Sequence, residues 1–64
     1  MCLAAVYGRK PNEDETLLLR NVVKILVDGD MATMIDIIGK ELVIKGALTE
    51  VDLAGGVVKI RCME

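Results

Sequence analysis

A run of branched apolar residues that ends at a turn is the feature that most constrains this chain. Residues 21–27 read NVVKILV, and Asp28-Gly29-Asp30 follows directly. Branched aliphatic side chains favour strands, and an Asp-Gly pair between apolar runs is typical of a tight β-hairpin. The pattern therefore predicts a strand over residues 21–27 that reverses direction and pairs with the segment after it.

Four further segments are predicted as strands, because apolar and polar side chains alternate along them or turn residues bound them. They are residues 2–7, ended by Gly8; residues 31–38, closed by Gly39; residues 40–53, with a bend or bulge at Gly46; and residues 57–62. Ahead of the hairpin, residues 17–19 are predicted as a short strand set off by a bulge or as a single helical turn. The helical alternative arises because Asn12 and Glu15 resemble a helix cap.

Alternation also predicts which side chains share a strand face. The predicted sets are Val23, Ile25 and Val27, opposite Lys24; Thr33, Ile35 and Ile37, opposite Met34, Asp36 and Ile38; and Val58, Ile60 and Cys62, opposite Lys59 and Arg61. The last set places an apolar face opposite a charged one, which is typical of a half-buried strand.

Short strands at hairpin spacing, without a helix longer than two turns, predict an all-β fold. We expect a small antiparallel curled sheet or barrel of about five strands, formed by residues 1–64 as a single domain. A domain of this size buries only about 60% of the surface of its unfolded chain. Because 53% of the residues are hydrophobic, the excess apolar surface predicts a homo-oligomer.

The residue types that are missing exclude most catalytic chemistry. The chain has no histidine and no serine, and its glycines do not form a phosphate-binding loop. We therefore expect no enzyme, since a cysteine nucleophile would lack an activating histidine. The net charge of −2 and the scatter of Lys and Arg along the chain do not favour nucleic acid. No apolar run reaches the roughly 18 residues of a membrane span, and no secretory signal is visible, so we expect a cytoplasmic protein with reduced thiols.

Two cysteines remain as candidates for chemistry. Cys62 is most simply a small buried hydrophobe; if the last strand pairs near the first, it could approach Cys2 for a mixed site or a disulfide. Cys2 differs because removal of Met1 would leave an α-amine and a thiol on one residue. A thiolate and a nitrogen are half of a square-planar site, which suits nickel(II) or copper(II). A two-fold axis near Cys2 would supply the other half from a second chain, whereas simple packing of Cys2 between apolar residues is the alternative.

The order of these features resembles the CooT family of small nickel-binding proteins. The matching pieces are Cys2 within MC-x-A-x-V, the segment NVVKILVDGD, and residues 39–53 with the pattern G-x-x-x-x-I-x-G-x-L-x-E-V-D-L. The resemblance implies an Sm-like β-barrel homodimer that binds Ni²⁺ between its subunits through the Cys2 pair. It also implies a metallochaperone role, with carbon monoxide dehydrogenase or its maturation proteins as partners.

Related sequences suggest a second interpretation, an Sm-like RNA-binding protein. A shared barrel is weak support for that function, because one fold hosts many activities. Tyr7 is the only aromatic residue, so the stacking platforms typical of single-strand binders are not visible. RNA binding therefore stands as the alternative to nickel binding.

Overall fold

Five strands account for most of residues 3–63, which are the residues that the computed structural model describes. They are β1 (Ala4–Arg9), β2 (Thr16–Asp28), β3 (Met31–Asp36), β4 (Glu41–Asp52) and β5 (Val57–Cys62). The strands follow their chain order around a closed barrel, with antiparallel neighbours from β1 to β5 and one parallel pairing, between β5 and β1, that closes it. The predicted all-β barrel of about five strands is confirmed, and no helix, hence no membrane-spanning helix, occurs in the described part of the chain.

The predicted hairpin joins β2 to β3. Asp28 pairs with Met31, and Gly29 adopts the left-handed φ of 59° that such a turn requires. The strand before the turn begins at Thr16, so residues 17–19 belong to it and the helical alternative is wrong. Near its middle, Asn21 has a positive φ of 57°. At this point β2 stops pairing with β1 and begins to pair with β3, since Val22 pairs with both Ala4 and Asp36.

The same irregularity explains why one predicted strand face is wrong in part. A register shift lies between Val22 and Lys24. Val22 is buried, with 3% of its surface exposed, whereas Val23 is 44% exposed. A bulge leaves an extra residue unpaired and interrupts the alternation of faces. Only Ile25 of the predicted set packs against the core.

The barrel interior consists of small and medium aliphatic side chains without an aromatic ring. The buried hydrophobic residues are Val6, Leu19, Val22, Ala32, Met34, Val58, Ile60 and Cys62. The predicted apolar face of the last strand is confirmed, as is the interpretation of Cys62 as a buried hydrophobe. Met34 and Asp36 also share a face as predicted, and that face is the inner one.

Gly8 does not end the first strand, contrary to the prediction. It lies within β1 and pairs with Thr16 on one side and Ile60 on the other. A Cβ at this position would lie 2.5 Å from Leu18 Cδ1 and 3.0 Å from Cys62 Sγ. Close packing, and not a turn, therefore requires glycine at this position. Residue 2, the predicted start of this strand, lies outside the described residues.

Gly46 marks the point where β4 exchanges one partner strand for another. Lys45 is the last residue paired with β3, and Gly46 is the first paired with β5, opposite Cys62. A Cβ on Gly46 would lie 2.5 Å from the Arg61 carbonyl oxygen. The predicted bend thus coincides with a close approach of two backbones, and the register irregularity falls later, between Leu48 and Glu50.

Asp36 ends β3 two residues earlier than predicted and begins the turn to β4. Its Oδ1 accepts hydrogen bonds from the backbone N–H groups of Ile38, at 3.1 Å, and Lys40, at 2.8 Å. Side chains that bond nearby backbone groups in this way compete with strand pairing. Ile37 and Ile38 therefore lie in the turn and not on the faces predicted for them.

We expect Asp36→Ala to destabilise the fold because the side chain of Asp36 is buried, at 8% residue exposure, and satisfies two backbone donors. Loss of one partner from a part-buried hydrogen bond costs about 1–3 kcal/mol. Urea unfolding should show a decrease of that size in the free energy of unfolding. Asp36→Asn, which keeps an acceptor oxygen, should lose less; an equal loss in both variants would contradict this role.

Candidate functional site

The predicted metal ligand, Cys2, lies outside the described residues, so its surroundings are defined by the residues that follow it. Leu3 is the first described residue and is 42% exposed. Ala4 pairs with Val22 of β2, and the Ala5 N–H donates to the Gly56 carbonyl at 2.8 Å. The chain therefore enters the barrel between the middle of β2 and the turn that precedes β5.

Several large apolar side chains are exposed on segments adjoining the start of β1 and in the turns at the two ends of β4, and we call these residues the apolar set. Its members are Leu3, Val23, Ile37, Ile38 and Leu53, with exposures of 42%, 44%, 47%, 85% and 83%. The Ile37 N–H donates to the Asn21 carbonyl at 2.9 Å, which ties the β3–β4 turn to β2 beside the start of β1. Leu53 belongs to the turn whose Gly56 accepts the bond from Ala5.

Cys62 lies at the other end of the first strand. Because β1 and β5 run parallel, Val57 pairs with Ala5 at the start of β1, whereas Arg61 pairs with Arg9 at its end. A strand rises about 3.3 Å per residue, so Ala4 and Gly8 are separated by roughly 13 Å along β1. The Cys62 thiol is free, 5% exposed and next to Gly8. Cys62 thus lies far from the start of the described chain, and its approach to Cys2 stays untested because Cys2 lies outside the described residues.

The acidic residues do not form a metal site among residues 3–63. No group of three or more His, Cys, Asp or Glu side chains converges there. Asp52 Oδ1 accepts the Gly55 N–H at 2.8 Å and so stabilises a turn. Asp30 pairs with Lys45 at 4.0 Å and Glu15 with Lys59 at 3.8 Å, with all four side chains well exposed. Exposed ion pairs of this kind contribute little to stability.

A basic groove is the site that the sequence did not reveal, because its residues are far apart along the chain. We define it by the four cationic side chains that line it: Arg9, Lys10, Lys59 and Arg61. The parallel pairing of β1 and β5 brings Arg9 opposite Arg61. The loop after β1 forms a wall through Pro11 and Asn12, and the groove has a volume of about 470 Å³. Basic residues that are far apart in the sequence thus lie together in the fold.

Comparison with known proteins establishes the family. The family model described as CO dehydrogenase accessory protein CooT matches residues 1–61. The chain belongs to the CooT family. The resemblance read from Cys2, the hairpin and residues 39–53 is confirmed by this match over nearly the whole chain. Membership in a family of CO dehydrogenase accessory proteins supports a role in the maturation of that enzyme.

The CooT assignment agrees with a solved structure. The chain is similar to the crystal structure of a protein from Carboxydothermus hydrogenoformans that is provisionally assigned to CooT, with a TM-score of 0.85. The two are 21% identical, and the match covers 98% of this chain and 100% of the other. At that identity the likeness concerns the fold, which is the five-stranded barrel described above. No curated protein matches this CooT-family chain.

Proposed function

We propose that this protein is a cytoplasmic nickel(II)-binding accessory protein. It is not itself an enzyme and supports nickel insertion into carbon monoxide dehydrogenase or another anaerobic nickel enzyme. The ion is cargo, held by paired Cys2 thiolates across a homodimer of two barrels. Family membership supports the accessory role, and the exposed apolar set supports the homodimer.

The donor set of Cys2 fits nickel(II). Each chain offers one thiolate and the backbone nitrogen of the same residue, and two chains together offer two sulfur and two nitrogen ligands. This combination suits square-planar nickel(II) or copper(II), whereas tetrahedral zinc prefers sets of thiolates and imidazoles. The chain has no histidine, so an imidazole-rich site is not available to it.

A nickel site shared between two chains is supported by the small number of ligands that one chain offers. Among the residues that the structure describes, no acidic or cysteine cluster could hold the ion in one barrel. The second cysteine, Cys62, is buried next to Gly8 at the far end of β1. A single chain therefore offers only half of a coordination set near Cys2, and a closed two-fold dimer doubles it.

The apolar set offers side chains that a second copy of the chain would bury, beginning with Leu3 beside the proposed ligand. Ile38 and Leu53 are more than four-fifths exposed, and Leu3 directly follows the proposed ligand. Large apolar side chains grouped on a small domain are typical of interaction sites. Burial of Leu3 against a second copy would place the beginnings of both chains in one interface, and separation of the subunits would divide the ligand set and release the ion.

We expect the double variant Ile38→Ser, Leu53→Ser to weaken the homodimer. Full burial of a large aliphatic side chain contributes about 1.5–3 kcal/mol, so partial burial of two in each subunit predicts a dissociation constant raised by about 100-fold or more. Sedimentation equilibrium with and without nickel measures this constant. Nickel should promote the dimer in the wild type and do so poorly in the variant.

Val43→Ser is the matched control, because Val43 is 54% exposed on β4 and lies opposite Thr33, away from the start of β1. This control should leave the dimer unchanged. If Val43→Ser dissociates the dimer and the double variant does not, the subunits meet through the outer face of β3 and β4 and the proposed interface is wrong.

A further inference from the structure

We propose that the basic groove binds an acidic peptide segment of a partner protein. This site is distinct from the nickel site, and its function does not depend on nickel binding. The groove lies where β1 ends and β5 ends, whereas the proposed metal ligand precedes β1 in the sequence. Its features are a net positive charge, two adjacent arginines and an apolar floor.

The first support is the separation of charge across a small acidic protein. Four of the eight cationic residues of the chain line the groove, and among residues 3–63 Glu15 is the only acidic residue that lines it. The groove side chains therefore have a net charge of +3, while the whole chain has −2. The remainder of the chain accordingly has −5, so an anionic ligand is attracted to this region and repelled elsewhere.

The second support is the unfavourable placement of two like charges. Arg9 and Arg61 lie directly opposite each other on neighbouring strands, an arrangement that destabilises a sheet. Within residues 3–63, neither guanidinium forms a salt bridge with a carboxylate. The Arg9 Nε–H donates to the Glu13 carbonyl at 3.1 Å, which holds that side chain against the loop. An anion placed between the two arginines would remove the repulsion.

The third support concerns the class of ligand. Arginine presents a planar fork of donors that matches a carboxylate in a bidentate manner. The floor is apolar, since Ile60 is 2% and Cys62 5% exposed, and Pro11 adds an apolar wall. Carboxylates beside apolar contacts are what a peptide rich in Asp and Glu provides. Tyr7, the only aromatic residue, pairs with Lys59 but does not line the groove, so stacking of RNA bases, the main source of affinity in single-strand binders, is not supported there.

The groove can be tested on the full-length protein by two-dimensional ¹⁵N NMR with the peptide hexaglutamate as probe. Titration should shift the backbone amides of Arg9, Lys10, Lys59 and Arg61, and binding should weaken as salt is added. Arg61→Gln and Lys10→Gln should each raise the dissociation constant by about tenfold, the effect of one charge-assisted hydrogen bond. The spectra also report whether each variant remains folded.

Lys24→Gln is the control, because it removes one positive charge from an exposed position on β2 that does not line the groove. This variant should bind hexaglutamate within about twofold of the wild type. The proposal is overturned if hexaglutamate causes no shifts at millimolar concentration, or if Lys24→Gln loses as much affinity as Arg61→Gln. It is also overturned if hexauridylate binds more tightly than hexaglutamate, because the groove would then be an RNA site. Nickel binding should be unchanged in all three variants, so failure here leaves the proposed function unaffected.

Discussion

Cys2→Ser is expected to abolish high-affinity nickel binding. A serine hydroxyl does not ionise near neutral pH, so each chain would lose its sulfur ligand. Changes to residues outside the first coordination shell already cost 10–100-fold in metal affinity, and loss of both thiolates should cost about 1000-fold or more. The absorption band of nickel–thiolate charge transfer should be absent from a nickel titration of this variant.

The effect of nickel on the thermal stability of the dimer should also depend on Cys2. A ligand present at 100 times its dissociation constant stabilises the folded state by about 2.7 kcal/mol, which corresponds to a rise in the unfolding temperature of roughly 10–20 °C for a domain of this size. Nickel should raise the midpoint of the wild type and leave that of Cys2→Ser unchanged.

Cys62→Ala is the control for thiol chemistry in general. Cys62 is 5% exposed and packs as a hydrophobe next to Gly8, so its loss should lower stability modestly and preserve the nickel titration. Retention of the charge-transfer band in Cys2→Ser, or its loss in Cys62→Ala, would assign the ligand to Cys62 and contradict the proposed site.

Gly46→Ala is expected to produce a large loss of stability in the barrel. The new Cβ would lie 2.5 Å from the Arg61 carbonyl oxygen and 2.9 Å from Ile60 Cγ2. Backbone cannot rotate away as a side chain can, so β4 and β5 would have to separate where Gly46 pairs with Cys62. Overpacking costs about 1–3 kcal/mol, which is a large share of the roughly 3–10 kcal/mol that a domain of 64 residues has in total. Chemical denaturation should show the decrease.

Gly55→Ala provides a matched control for that substitution. A Cβ at Gly55 would meet the Asp52 carboxylate, at 2.8 Å from Oδ2, which belongs to an exposed turn and can move. The free energy of unfolding should change by less than about 1 kcal/mol in this variant. Equal losses in Gly46→Ala and Gly55→Ala would contradict the claim that the close approach of the two backbones makes glycine necessary at position 46.

Local patterns predicted the strands well where the chain is regular. The last strand has no bulge, so the alternation of Val58, Ile60 and Cys62 with charged residues gave the correct buried face. The alternation failed at Val23 because Asn21 adopts a left-handed conformation and the register shifts beside it. It failed at Ile37 because the Asp36 carboxylate bonds backbone groups of the turn. One failure comes from a local backbone conformation and the other from side-chain hydrogen bonding, and residue type alone specifies neither.

The sites depend on contacts between distant parts of the chain. The basic groove exists because β1 and β5 close the barrel in parallel and bring Arg9 next to Arg61, and no local pattern encodes that pairing. The need for glycine at position 8 also depends on distant residues, since Leu18 and Cys62 pack around it. Cys2 could be proposed from the sequence through its ligand chemistry and the family pattern, and in that proposal half of its site belongs to a second chain.

A native mass spectrum of the wild-type protein, recorded with and without nickel, tests the central claim most directly. It measures the number of chains, the number of ions and the processing of Met1 in one experiment. We predict that nickel produces a complex of two chains and one ion. One ion bound to each single chain, or an assembly to which no nickel binds, would contradict the proposal that two Cys2 residues share one nickel.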